Sequence, residues 1–480
     1  MPFSLPAHSL PRLASVVLAM ATLLSGCASL TPSTDTLPPT PVPAEWSTSA
    51  PYAPATANAA PLASWWQGFQ DEQLTALVTQ ALQANTDIRT AQAALQQARA
   101  LRDVSAASLG PRVNTSASAQ RSKLGGSQTG NLFQVGLDAS WEPDVFGGNR
   151  SALNASDADV RAATASLGNV QVSLAAEVAL AYLQLRGLQA QRLIAQGSVA
   201  AQRETLQLTR WRAQAGLASS LDVEQGIAAS EQTAAQIPVF DTGIAQAASS
   251  LAVLTGQSPG VLRSALANVA PVPQAADTLA LAIPAETLRQ RPDVRAAEDR
   301  ISAALARVAQ ADAARYPGFQ LSGSLGLRAL TLGTLTGGAS VANALLASVS
   351  VPLFDGGAAR AQVRVQQAAL EQARLAYEAT VLVALKDVED ALVSLQGNRE
   401  RLARLQAAVE AAGNADLLAR QRYASGLIDF RAVLDTQRTL LSTQDSVEST
   451  RASLSADHVR LYKALGGGWT RVLAPTQPPA

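Results

Sequence analysis

Few side chains in this 480-residue sequence could do covalent or metal chemistry, and those few do not converge. Cys27 is the single cysteine, so no disulfide can form within the chain and a thiol role anywhere else is excluded. Of the two histidines, His8 lies near the start and His458 stands alone on a helical stretch near the end. A His-based metal centre or catalytic triad therefore lacks its partners. Asp387, Glu389 and Asp390 lie close together, but on the outward side of a heptad pattern, where carboxylates form a solvated face. No Gly-Lys-[Ser/Thr] phosphate loop occurs. These residues predict no catalytic, metal or cofactor-binding site, and so no enzyme.

The surroundings of Cys27 give it a different chemistry. Arg12 supplies a positive charge, and Leu13 to Leu24 form an apolar core too short to span a bilayer as a permanent helix. Leu24-Ser25-Gly26-Cys27 follows and resembles a bacterial lipobox. That resemblance implies a signal peptide over 1–26, cleaved before Cys27, with a covalent lipid on Cys27 as the one attached group. Ala28 rather than an aspartate comes next. By what lipoproteins generally do, this implies sorting to the outer membrane. Thr31 to Pro61 is rich in Pro, Ser, Thr and Ala and cannot bury a core, so residues 27–61 are expected to be an extended tether.

Composition narrows the remainder. Lys+Arg and Asp+Glu number 37 each, so no strong field favours nucleic acid. Aromatics make up 4%, while alanine, glutamine and leucine abound, a bias that suits long helices. No run of 18 apolar residues follows the signal, which excludes a helical inner-membrane transporter. Any membrane span must be built from strands.

The elements that would form those strands come in two copies. Asp87-Ile88-Arg89-Thr90-Ala91 matches Asp293-Val294-Arg295-Ala296-Ala297, and Pro111 matches Pro317. Glu177 to Leu185 lines up with Asp387 to Leu395, Ala215-Gly216-Leu217 with Ser425-Gly426-Leu427, and Leu254-Thr255-Gly256 with Ala464-Leu465-Gly466. Each half starts with a helix, Asn85 to Ala107 or Pro292 to Arg315. Two alternating stretches follow: Arg112 to Arg121 and Asn131 to Glu142, then Gly318 to Arg328 and Val341 to Leu353. Phe133, Val135, Leu137, Ala139 and Trp141 share one face, as strands with a lipid side and a wet side require; a small soluble sheet would alternate in the same way. Long helices succeed them, Ser151 to Gln214 and Ala358 to Tyr423, with Val388, Leu395, Leu402 and Val409 at coiled-coil spacing. Each would run roughly 95 Å before a Gly-containing turn sends a second helix back. Four strands cannot close a transmembrane barrel, and open edges in lipid leave backbone groups unsatisfied, so strands in a membrane demand several chains.

At this point the sequence resembles the outer membrane factor family, the TolC-like efflux ducts, and within it the lipoprotein branch called NodT or OprM-like. The resemblance covers essentially the whole mature chain. It rests on Trp65-Trp66-Gln67-Gly68-Phe69-Gln70-Asp71-Glu72-Gln73-Leu74, Arg291-Pro292-Asp293-Val294-Arg295-Ala296-Ala297-Glu298, Trp141 to Gly147, and Arg422-Tyr423 through Arg438. It implies a mainly α fold with a β-barrel: a homotrimer whose four strands per chain make a 12-stranded barrel, above a tunnel of helical hairpins. Residues 62–257 and 287–468 would be the two repeats, 258–286 an equatorial linker and 469–480 a tail. The implied partners are a periplasmic membrane-fusion adaptor, an inner-membrane pump of the RND type, and outer-membrane lipid. The implied work is passive conduction of small molecules out of the cell.

The same resemblance implies a periplasmic gate. On the matching positions Asp435 would form a carboxylate ring, with Arg438 one helical turn along and in ion-pairing reach. Arg431 stands where relatives often have leucine, which suggests a wetter, partly cationic constriction. Ala432 replaces a second aspartate found in some relatives, so a double aspartate ring is not expected. Asp222 follows the first hairpin turn and could bond to the neighbouring hairpin. Two other readings stay open: an exit duct for a secreted protein, and a coiled-coil lipoprotein tether without a pore.

Overall fold

A computed structural model describes residues 46, 60–123, 125, 129–275 and 288–469. The expected signal peptide, His8, Cys27, nearly all of the tether, linker residues 276–287 and the tail from 470 lie outside the described residues. After a 3₁₀ turn at Trp65–Phe69, α1 (Glu72–Ala84) starts where the Asp71 carboxylate accepts from Leu74 N at 2.8 Å. The first repeat then runs α2 (Thr86–Ala107), β1 (Arg112–Ser122), β2 (Gly130–Trp141), α3 (Gly148–Gln214), α4 (Ser220–Ala234) and α5 (Ile237–Leu254). The second runs α6 (Pro292–Ala313), β3 (Gly318–Ala329), β4 (Val341–Ser350), α7 (Ala358–Ala424) and α8 (Phe430–Ala464).

The long helices α3 and α7 have 67 residues each, about 100 Å at 1.5 Å per residue. An aspartate starts each. Asp144 accepts from the amides of Asn149 and Arg150, and Asp355 from those of Gly357 and Ala359. Those backbone donors hold the Asp355 carboxyl below the usual carboxylate range. Each helix ends at a glycine, Gly216 (φ 73°) and Gly426 (φ 76°), in a left-handed conformation that side chains disfavour. Leu217 N then bonds Arg212 O at 2.8 Å and Leu427 N bonds Arg422 O at 2.9 Å, closing two matching helix C-caps.

The repeats differ in their returning arms. α8 is one helix of 35 residues, whereas the first-repeat arm breaks between α4 and α5, where Pro238 sits in the first turn of α5. The stretch Ser220–Leu254 reaches a mean hydropathy of 1.3 over 18 residues, long and apolar enough to cross a membrane by composition. It is nevertheless the counterpart of α8, and its Asp241 pairs with Arg192 of α3 at 2.8 Å. The strand predicted to run to Leu353 ends at Ser350, because Pro352 has no N–H for the ladder.

The main core joins α1, α3, α5 and α8 through Leu74, Val78, Tyr182, Leu185, Leu251 and Val459. α3 is buried along its length, but α7 is not. Ala155, Ala165, Val172 and Leu183 of α3 are buried; their counterparts on α7, Val365, Leu375, Leu382 and Val393, are each more than half exposed. One repeat thus has a covered seam that the other leaves bare.

Candidate channel wall and gate

The four strands form one antiparallel sheet in the order β1-β2-β3-β4, with β2–β3 joining the repeats. The register gathers apolar residues on one face of the sheet, with Thr115 and Asn343 as polar exceptions. Val113 lies opposite Ala139, Leu137 opposite Leu325, Val135 opposite Leu327, and Phe319 opposite Val349. The other face carries Asn114 opposite Asp138, Gln134 opposite Arg328, and Gln320 opposite Ser348, with Ser116 Oγ donating to Asp138 Oδ2 at 2.9 Å. At the repeat junction Gly136 faces Gly326 so closely that a Cβ on Gly326 would sit 2.6 Å from Val135 O. β1 and β4 are edges, hydrogen-bonded on one side only among the described residues.

At the far end, Arg431, Asp435 and Arg438 lie along one exposed face of α8, while Val433, Leu434 and Gln437 are buried on the other. No ion pair joins Asp435 to Arg438 in this chain, and none engages Arg431 among the described residues. Asp222 takes part in its own helix start: its carboxylate accepts from Ser219 N and Ser219 Oγ while Ser219 Oγ accepts from Asp222 N, a reciprocal capping box. Among the described residues it makes no hydrogen bond to the neighbouring hairpin. Asp429 caps α8, accepting from Ala432 N at 3.0 Å. 

The link between the two hairpins is made by residues the sequence reading missed. Arg212, in the last turn of α3, donates to Tyr423 O and to Ala424 O at the end of α7, and its guanidinium lies 4.7 Å from the Tyr423 ring centroid. Tyr423 Oη donates to Thr209 Oγ1 at 3.1 Å, and Gln437 Nε2 to Thr205 Oγ1 at 3.1 Å. Tyr423, Phe430, Val433 and Leu434 then pack as a small apolar cluster at the tip. A basic residue four positions before a glycine stop is a helix-cap signal, but its partner in the other repeat is not visible in sequence.

At the waist two buried arginines tie the elements together. Arg186 (2% exposed) donates to Tyr182 Oη, Gln189 Oε1, Gln73 Oε1 and Asn268 O, while Tyr182 Oη donates to Asp71 Oδ2 at 2.8 Å. Burial pushes the Tyr182 hydroxyl up to about 12. Arg291 caps α8 through Ala464 O at 2.9 Å and holds Asp293 and Asp387. Asp387 is thus the partner of a buried cation rather than a merely solvated face, because α6 starts beside it. Asn85, the first-repeat counterpart of Arg291, bonds Leu254 O at 2.9 Å in the same way. Trp65 stacks on Tyr462 at 5.2 Å, closing the start of the described chain onto its end. His458 is buried with Nδ1 2.9 Å from Leu454 O of its own helix.

Comparison with known proteins gives this arrangement its relatives. The family model for outer membrane efflux proteins matches residues 77–257 and 283–467. The toluene efflux pump outer membrane protein TtgF of Pseudomonas putida is 32% identical, over 95% of this chain and 97% of that protein. The pyoverdine export outer membrane protein OpmQ of Pseudomonas putida is 32% identical, over 94% and 97%. The solved structure of the outer-membrane channel OprN superposes with a TM-score of 0.84 at 36% identity, covering 90% of this chain and 98% of that one. A duplicated α-β-β-α chain with an amphipathic sheet at one end and paired hairpin tips at the other belongs to the outer membrane efflux protein family.

Proposed function

We propose that this protein is the outer-membrane exit duct of a tripartite efflux system, working as a homotrimer that conducts small molecules passively. It is an outer-membrane channel and not an enzyme. The observation that carries the trimeric reading is the sheet: one apolar face, one polar face, and two open edges. In lipid those edges must be paired. Repetition of the chain supplies the partner, since β4 of one copy can pair with β1 of the next as β2 pairs with β3 inside the chain. Three copies would give the 12-stranded barrel expected from the family resemblance. The bare stripe of α7 supports the same closure, for its counterpart on α3 is covered, beside α6 in its first part and within the main core at Leu183.

In this reading Cys27 carries the lipid after removal of residues 1–26, and residues 27–61 lead from the membrane to the duct. Residues 62–257 and 287–468 are the two repeats, joined by the linker 258–286. Asp435, Arg438 and Arg431 face the axis as a charged constriction, each without an ion-pair partner among the described residues and so available to neighbouring copies. Asp222 serves the gate indirectly, by capping the adjacent hairpin tip. The tips receive a periplasmic membrane-fusion adaptor and, behind it, an inner-membrane pump of the RND type. Small-molecule cargo is favoured over secreted protein by relatives named for toluene efflux and pyoverdine export.

The test is single-channel conductance of the detergent-purified protein in planar bilayers, with its mass measured in the same preparation. A conducting trimer is the expected result, and a monomer that never conducts would sink the shared barrel. Replacing both gate charges (Asp435→Asn with Arg438→Gln) should raise conductance; an unchanged value removes them from the gate. Intact mass of the membrane-extracted chain should show loss of residues 1–26 and added acyl groups.

A further inference from the structure

Beside the gate positions of α8, each chain holds a polar cleft. Between α3, α4 and α8 a space of about 350 Å³ remains, because the first-repeat arm breaks at this level and Phe240 of α5 forms one wall. Its polar groups are poorly satisfied. Gln202 of α3 lines the cleft, is 4% exposed, and its Oε1 has no hydrogen-bond partner among the described residues. A buried acceptor left unpaired is costly, so this oxygen is a ready site for a donor from a ligand. Arg438 and Asp445 both line the cleft from α8, and neither has an ion-pair partner among the described residues. They are seven residues apart, two helical turns, which puts them on one face about 10 Å apart along the axis.

An unpaired cation and an unpaired anion at the two ends of a cleft, with apolar Phe240 and Leu441 also in its lining, complement one kind of molecule. We propose that the cleft binds a linear zwitterion with a carboxylate at one end and a primary ammonium at the other, of the length of an ω-amino acid or short peptide. The carboxylate engages the Arg438 guanidinium, and the ammonium engages the Asp445 carboxylate and donates to Gln202 Oε1. On a helix the long Arg438 stem leans toward the N-terminus and so away from Asp445, which widens the gap between the two charges by several ångströms; with a charge-assisted hydrogen bond about 2.8 Å long at each end, a chain of five or six carbons fills it. The site lies inside one chain, so it does not depend on the trimer. A ligand there would also draw Arg438 away from the axis, and only that consequence rests on the gate reading above.

The probe is 6-aminohexanoate, titrated calorimetrically into the full-length detergent-purified protein, with hexanoate and hexylamine as one-ended controls. The zwitterion should bind at least about tenfold more tightly than either control, since each charged end contributes on the order of 1.4 kcal/mol or more. Asp445→Asn should weaken 6-aminohexanoate at least tenfold while leaving hexanoate unchanged, and Gln202→Leu should weaken it severalfold. Both variants are checked for native mass and unfolding temperature. Absence of binding, equal affinity for a one-ended control, or natively assembled variants that bind as the parent does would each overturn the site. Conductance measured alongside separates the two ideas. Binding without a conductance change retains the cleft and removes only the link to Arg438 at the gate.

Discussion

Replacing Arg186 by methionine should loosen the linker at the waist of the duct without disturbing the rest of the fold. The guanidinium is fully enclosed and bonds Asn268 O at 2.6 Å. Two of its other partners reach the same linker: Gln73 Nε2 donates to Ala265 O at 3.0 Å, and Gln189 Nε2 to Leu266 O at 2.8 Å. Methionine keeps the stem but removes every donor. Loss of one charge-assisted bond to the linker alone is worth about 1.5–3 kcal/mol, before the glutamines lose their orientation. If linker amides exchange through local opening, that difference becomes a rate increase of roughly 10- to 150-fold across 262–275. Hydrogen exchange with mass spectrometry on the purified full-length protein reads it, with peptides near Gly397 on α7 as the unaffected reference. A rise below about threefold, or an equal rise everywhere, would refute the clamp. The pH dependence follows from Tyr182. Its hydroxyl is raised, chiefly by burial, from an unfolded value near 10 to about 12, so the neutral form belongs to the folded state. The stability it contributes is present below pH 10 and is lost as pH rises from 10 to about 12. Once exchange is corrected for its intrinsic pH dependence, protection of the linker should be flat from pH 6 to 9.

Three further perturbations address the sheet, the tip and the seam. Gly326→Val puts a Cβ 2.6 Å from Val135 O. It should cost at least about 1–3 kcal/mol at the β2–β3 junction and sharply lower the yield of detergent-resistant trimer; a normal yield would mean the strands are not so closely opposed. Arg212→Met removes the donor to Tyr423 O and Ala424 O. The turn at 424–430 should then be cut at least tenfold faster by limited proteolysis, with the turn at 215–219 as the control that should stay constant. Leu382→Asp introduces a charge on the bare stripe of α7, where burial of the leucine would contribute about 1–2 kcal/mol per interface. Native mass spectrometry should find monomer in place of trimer, and a persistent trimer would show that the stripe faces elsewhere.

How much of this was legible in the sequence depends on how local the signal is. The strands were, because Phe133, Val135, Leu137, Ala139 and Trp141 alternate and their partners alternate in phase. The repeat was also legible, and the two glycine stops at Gly216 and Gly426 lay where the matching motifs put them. The break at Pro238 was available in principle, since a proline lies within the returning arm, but the continuous second-repeat counterpart masked it. Asp222 shows a subtler limit. Ser219 stands three residues before it in a capping pattern, and that local partner takes one oxygen of the carboxylate, Oδ2. Arg212, Arg186 and Asp387 could not be assigned from sequence, since their partners lie about 80 to 210 positions away in the chain.

The two repeats also differ where the trimer reading needs them to. Inside the chain, α3 and α6 are bridged by Arg161–Asp299 and Arg307–Asp159, partly exposed pairs of the kind that contribute only a few tenths of a kcal/mol to about 1 kcal/mol each. Shifted by one repeat, those four positions become Glu371 with Ala93 and Ala369 with Leu101. The ion pairs have no counterparts, and Leu101, Leu375 and Leu382 instead stand exposed. A covalent chain holds its own repeats together at high effective concentration, so weak, oriented pairs suffice to fix their register. Separate copies must overcome the loss of rigid-body freedom on association, which asks for buried apolar surface. That is what the bare face of α7 offers. Charged pairs at the seam inside the chain, and Ala93, Leu101 and Ala369 beside Glu371 at the corresponding positions of α2 and α7, are what a helical wall that closes on copies of itself would present.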